Sequence, residues 1–112
     1  MNSIFDITGR LALVTGSSRG LGRALATGLA EAGARVVLHG RDGEALARVR
    51  DEIARSTGTA PATAAFDLTD ADAVRSGIEA VTAAHGVPDI LVNNAGIQRR
   101  APFAEFTAQD WE

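Results

Sequence analysis

Residues 15–22 read Thr15-Gly16-Ser17-Ser18-Arg19-Gly20-Leu21-Gly22, with three glycines in the last seven positions. Just before them, residues 11–15 (LALVT) are an apolar run that reads as a buried strand. Just after them, Leu21, Leu25 and Leu29 recur four apart through residues 20–32, one face of a helix. The glycines therefore stand where a strand turns into a helix. Glycine reaches positive φ and, lacking Cβ, lets backbone approach a ligand. The free N–H groups at the helix start, together with the helix dipole, favour a pyrophosphate there. The spacing is G-x-x-x-G-x-G, not the G-x-G-x-x-G of the commonest dinucleotide fold. A turn built only for close packing is the alternative, and the position between strand and amphipathic helix weighs against it.

Outward from this turn the chain alternates. Gly33 closes the first helix. Residues 35–39 (RVVLH) form a second strand, and Leu46, Val49 and Ile53 mark one face of a helix over 44–55, followed by Gly58. Residues 61–66 make a weaker, alanine-rich third strand ending at Asp67. Thr69 with Asp72 reads as an N-cap pair opening a helix striped by Val74, Ile78 and Val81 and stopped by Gly86 and Pro88. Residues 89–93 (DILVN) are a fourth apolar strand, and Thr107 with Asp110 opens another helix. The connections are too long for hairpins, so the strands are parallel, and runs that are apolar throughout are buried on both faces. Right-handed crossovers give an α/β, Rossmann-type doubly wound sheet of order 3-2-1-4, with residues 16–22 at the switch point. Residues 1–112 form a single unit without repeat or linker.

Composition excludes several classes of function. The chain has 112 residues, 46% of them hydrophobic, and a net charge of −3. Its arginines are scattered among acids, so neither nucleic acid nor an anionic membrane is an expected partner. With no cysteine, disulfides, thiolate metal sites and cysteine nucleophiles are excluded. No apolar run approaches the roughly 20 residues of a membrane span, and residues 1–9 do not read as a secretory signal. A cytoplasmic protein without a metal is the expectation. The sequence also contains no tyrosine.

Three marks fall in order on the expected elements: T-G-x-x-x-G-x-G at 15–22, Asp67 after the third strand, and Asn93-Asn94-Ala95-Gly96 after the fourth. Together they resemble the short-chain dehydrogenase/reductase family. The resemblance implies that Gly16, Gly20 and Gly22 form a phosphate-facing turn, with Leu21 in it and Ser17 or Ser18 and Arg19 lining it. It implies that Asp67 and Leu68 meet the adenine, and that Asn93, Ala95 and Gly96 pass behind the ribose and nicotinamide. For Asn93 two roles stand, cofactor contact or a tie between strands. Family chemistry is hydride transfer between an alcohol or ketone and a nicotinamide. Its tyrosine, lysine, serine and fourth-helix asparagine fall beyond residue 112 in the family pattern. No catalytic residue is therefore assigned here, and the chain reads as the N-terminal dinucleotide-binding part, inactive by itself. His39 and His85 have no serine and acid around them that would make a triad. The full-length form is expected to be a homo-oligomer.

The second strand ends His39-Gly40-Arg41-Asp42. Relatives that use NAD place a ribose-binding acid where this chain has Gly40, and such an acid repels the extra phosphate of NADP. Arg41, with Arg19 nearby, offers guanidinium to that phosphate. Asp42, about 20 residues past the last glycine, is either the ribose acid or the N-cap of the second helix. The balance favours NADP(H). The run 93–106 with Trp111 (N-N-A-G-I-Q-R-R-x-P-F-x-E-F…W) resembles the family's branch that interconverts D-gluconate and 5-keto-D-gluconate with NADP(H). Arg99 and Arg100 then hold the carboxylate of a sugar acid, unless they are surface loop charges. Reductases of other polyols, sugars or acyl ketones share much of this motif.

Overall fold

The computed structural model describes residues 6–94. Its elements run β1 (Leu11–Val14), α1 (Gly20–Glu31), β2 (Arg35–Gly40), α2 (Gly43–Thr57), β3 (Ala62–Ala65), α3 (Ala71–His85) and β4 (Ile90–Val92). All pairings are parallel, and the strand order is β3-β2-β1-β4, the expected doubly wound arrangement. Leu11 lies opposite Arg35, Ala12 opposite Ile90, and Val37 opposite Ala62.

Alternation along the strands explains why helices lie on both faces. Side chains of a strand point to opposite faces in turn. Val14, Val36 and Leu38 pack with Ala26 of α1 and with Leu46, Val49 and Ile53 of α2. Leu11, Leu13 and Val37 face the other way and pack with Val81 of α3. The two central strands are buried along nearly their whole length, whereas β3 alternates and Leu91 of β4 is 63% exposed.

Two apolar stripes differ from their expected burial. In α1 the buried positions are Gly22 and Ala26, while Leu21 is 58% and Leu25 36% exposed. At its start this helix sits so close to β1 that only the smallest residues fit at the contact, whereas further along Leu29 packs on the core. In α3 Val81 is buried, but Ile78 is 38% exposed. Gly77 takes the contact instead. A Cβ on it would stand 2.6 Å from the Phe66 ring at Cε1.

The helix ends show how local chemistry sets the boundaries. Asp42 caps α2 by accepting from the N–H groups of Glu44 (3.0 Å) and Ala45 (3.3 Å). Asp70, not Thr69, caps α3, accepting from Asp72 and Ala73. Thr69 instead donates its N–H (2.9 Å) and hydroxyl (2.8 Å) to the Asp67 carboxylate. A carboxylate one residue later outcompetes the hydroxyl because it accepts two N–H bonds with a full charge at the positive end of the helix. At the end of α1, Ala32 is the cap and Gly33 follows with φ 95°. Gly33 donates to Ala30 and Ala34 to Leu29, a Schellman closure. No described helix is long and apolar enough to cross a membrane.

Asp70→Ala is expected to destabilise the whole protein by about 1 kcal/mol in chemical denaturation, the usual worth of an aspartate N-cap. Thr69→Ala, which removes a hydroxyl from an exposed turn, should cost less; the reverse order would return the cap to Thr69.

Candidate functional site

Parallel strands bring their carboxyl ends to one edge of the sheet. There β1 runs into Thr15 and Gly16, β2 into Arg41, β3 into Phe66 and Asp67, and β4 into Asn93 and Asn94. The chain winds from β1 through β2 to β3, then returns past β1 to β4. The switch point therefore opens between the ends of β1 and β4, where ligands of doubly wound sheets bind.

The glycine turn is shaped by two backbone requirements. Gly16 has φ 61° and Gly20 φ 59°, the left-handed region that penalises a Cβ. Gly22 is required for a different reason. A Cβ there would overlap the Gly16 carbonyl and stand 2.6 Å from Asn94 Nδ2. The start of α1 is thus pressed against the end of β1. That helix carries no side-chain cap bond at Arg19 and no acid in its first turn, whereas α2 and α3 are each capped by an aspartate. The first N–H groups of a helix have no intrahelical acceptor. A turn whose backbone can come close to a ligand, set at a helix start that no side chain caps, is chemically suited to an anion.

Polar side chains stitch this turn to its neighbours. Thr15 donates its N–H to the Val92 carbonyl (3.0 Å), and its hydroxyl lies 3.2 Å from Asn93 Oδ1. Asn94, buried, donates from Nδ2 to the Gly16 carbonyl (3.1 Å). Ser17, fully buried, clamps the backbone of β2: its Oγ accepts from His39 N–H (2.8 Å), and its own N–H donates to the His39 carbonyl (2.8 Å). Ser18 is half-buried, with its Oγ beside Gly40, 3.5 Å from where a Cβ would lie. Gly16 donates its N–H to Nδ1 of His39 (3.2 Å), and Nε2 of the same ring lies 2.9 Å from the Phe66 carbonyl.

The sequence-derived candidates divide accordingly. Gly16, Ser17, Ser18, Arg19, Gly20, Leu21 and Gly22 share the one turn, and within it the Ser17 hydroxyl is engaged by β2 while the Ser18 hydroxyl faces Gly40. Arg19 and Arg41 are exposed, and Leu68 is half-buried after β3. The Asp67 carboxyl is held below the ordinary carboxylate range, first by the Thr69 N–H, then by its hydroxyl, with the Arg41 charge adding to the effect. Arg41, at the end of β2, is thus near enough to favour the ionised Asp67 carboxyl after β3. Asp42 is engaged at the start of α2, the N-cap alternative. Asn93 makes a tie between strands. Ala95, Gly96, Arg99 and Arg100 lie outside the described residues.

Sequence reasoning placed Asn94 in the strand-end mark without its bond to the turn, and weighed His39 only as a triad member. Both are buried polar side chains, and such groups need partners. The signal was available in His39, a titratable residue directly after the apolar run Val36, Val37 and Leu38. Its partners lie 23 and 27 residues away, beyond the reach of local pattern.

Fold, turn and strand-end asparagines together define a doubly wound scaffold of the dinucleotide-binding kind. A model of the short chain dehydrogenase family matches residues 10–112, and the chain belongs to that family. It is 50% identical over 109 residues to the gluconate 5-dehydrogenase of Gluconobacter oxydans (strain 621H), a match that covers 97% of this chain and 42% of that protein. Among solved structures, a gluconate 5-dehydrogenase from Burkholderia cenocepacia J2315 in complex with NADP and tartrate is 48% identical with a TM-score of 0.75, over 96% of this chain and 42% of that one. The L-sorbose reductase of Gluconobacter frateurii, complexed with NADPH and L-sorbose, is 33% identical with a TM-score of 0.77, over 96% and 41%. The chain thus spans about two fifths of the length of these relatives.

Gly22→Ala should destabilise the whole protein by about 1–3 kcal/mol, the range for forcing atoms into a packed contact. The check is a denaturant melt beside Gly28→Ala, where a Cβ meets nothing within 4 Å. Equal effects would mean that α1 does not press on Gly16.

Proposed function

We propose that this chain is the dinucleotide-binding portion of an NADP(H)-dependent oxidoreductase, and that the whole protein interconverts D-gluconate and 5-keto-D-gluconate. The observation that carries the cofactor choice is the end of β2. Gly40 stands where an NAD-selective acid would stand, Arg41 follows it, and Asp42 is committed to capping α2. The turn at 16–22 fits the pyrophosphate: its helix start lacks a side-chain cap, and Gly22 leaves the space that a side chain would fill. On this reading Gly16, Ser18, Arg19, Gly20, Leu21 and Gly22 hold the phosphates, while Ser17 shapes the turn from inside. Arg41 meets the 2′-phosphate, Asp67 and Leu68 the adenine, and Asn93, Ala95 and Gly96 the nicotinamide side. The bound dinucleotide supplies or accepts a hydride at its nicotinamide. The NADP and NADPH in the Burkholderia and Gluconobacter frateurii structures support the choice.

The substrate reading rests on the 50% identity to a gluconate 5-dehydrogenase and on Arg99 and Arg100 after β4, which we assign to the sugar-acid carboxylate. Tartrate, itself a hydroxy acid, in the Burkholderia enzyme is consistent with an anion-binding crevice. The 112 residues hold no tyrosine, so acid–base chemistry of the family type requires groups outside them. That same observation favours a second reading, a dinucleotide-binding unit without catalysis of its own. Gluconate-dependent NADPH formation by the whole protein separates the two. A homo-oligomeric, cytoplasmic enzyme is part of the proposal.

Two measurements on the whole protein test it. Arg41→Asp should shift preference from NADP(H) toward NAD(H) by about tenfold or more, since a charge-assisted pair is worth ~1.5–3 kcal/mol. Tighter NAD(H) binding by the unmutated protein would reject the reading of the β2 end. Replacing Arg99 or Arg100 by alanine should raise KM for gluconate without weakening NADP(H), and should leave a neutral polyol of equal length little changed. Equal responses to acid and polyol would remove both arginines from substrate recognition.

A further inference from the structure

We propose that His39 is a positioning residue of the dinucleotide site, its neutral imidazole bracing the phosphate turn against the end of β3. This rests on the dinucleotide reading above. The residue is 2% exposed, and its ring sits between two partners of fixed chemistry. Gly16 N–H can only donate, and it points at Nδ1 (3.2 Å). The Phe66 carbonyl can only accept, and it lies 2.9 Å from Nε2. A single form satisfies both, the neutral ring with its proton on Nε2. The ring cannot easily swing away, because Ser17 holds the His39 backbone at both N–H and carbonyl and Phe66 packs its own ring against the imidazole (centroids 4.3 Å apart).

The brace joins the two sides that grip opposite ends of an adenosine phosphate. Gly16 is the first glycine of the turn, and Phe66 immediately precedes Asp67. One buried ring thereby sets the distance from turn to adenine shoulder.

Its protonation would reverse one of its two bonds. Imidazolium carries a proton on Nδ1, which then opposes the Gly16 N–H, donor against donor. Burial holds the His39 pKa below its ordinary value, and the Phe66 carbonyl offsets this only in part. The groups around it do not rescue the cation. Gly16 and Ser17 of the turn, Ala64 of β3 and Phe66 just after it are uncharged, Gly77 and Val81, which α3 presents to this face, are uncharged too, and Asp42 is engaged at its helix start. Arg41, on the same strand end, is exposed to solvent. The sign follows. The neutral ring is required, its contribution is complete above about 6.5, the ordinary histidine value, and it is lost as pH falls through the lowered pKa.

The test is titration of the whole protein with NADPH and, in parallel, NADH, from pH 8 to pH 5, with thermal melts to verify folding. His39→Asn places an amide oxygen near the position of Nδ1 and has no proton to gain; His39→Leu removes both bonds. At pH 8 the leucine variant should bind roughly three- to tenfold more weakly, the worth of one hydrogen bond, and the asparagine variant should recover most of that loss. As pH falls, wild type should weaken more steeply than His39→Asn. The 2′-phosphate of NADP titrates in the same range in both proteins, so the difference between them is the readout. If His39→Leu does not fold, the comparison of wild type with His39→Asn decides alone. Identical pH profiles would overturn the brace and leave the dinucleotide reading intact. Failure of wild type to bind either dinucleotide would reject that reading and the brace with it. Binding of NADH alone would reject the phosphate preference, and the same comparison with NADH would still decide the brace.

Discussion

The close approach of α1 to the end of β1 is the constraint on which the rest of the site depends. Gly22 lies where any side chain would strike the Gly16 carbonyl and the Asn94 amide. Because the helix begins there, its first N–H groups stand directly over the carboxyl edge of the sheet. The same closeness dictates that the face of α1 toward the sheet be Gly22 and Ala26 and sends Leu21 and Leu25 outward. A single glycine thus couples helix packing to the shape of the ligand crevice.

Capping shows how the fold divides its electrostatics. Asp42 and Asp70 place carboxylates on the N-termini of α2 and α3, closing them locally. The start of α1 has neither a capping side chain nor an acid in its first turn. The partial positive charge of that helix end is left for something else to neutralise, and a phosphate group is the natural match. The arrangement also shows what Asp42 does: its carboxylate accepts from the first N–H groups of its own helix.

The crevice is held together by buried polar atoms whose partners are all supplied by other strands or by the turn. Thr15, Ser17, His39 and Asn94 each lie below a tenth exposed, and each bonds across elements. Buried donors and acceptors are costly when unpaired, so these bonds fix relative positions more sharply than apolar packing does. Asp67 is held differently. Thr69 and Arg41 favour its ionised form at a half-exposed site, giving the β3 end a fixed negative charge beside a positive one.

By itself the sequence determined the order of strands and helices, the parallel sheet and the glycine turn at its switch point. Those follow from apolar periodicity, connection length and backbone freedom, which are local properties. Its family marks pointed to the carboxyl edge of the sheet, and its strand end at 39–42 narrowed the cofactor. Tertiary structure alone decided which alternative Asp42 takes, that Asp70 and not Thr69 caps α3, and that two leucines of α1 face outward. It alone revealed that the His39 and Asn94 side chains bond to the turn. Periodicity says which residues share a face but not how near two elements come, and it is that distance, set by Gly22 and Gly77, that chooses small residues over large ones at the contacts. Hydrogen bonds spanning 23, 27 and 78 residues leave no trace in local pattern, because they exist only once the parallel strands have brought their ends together.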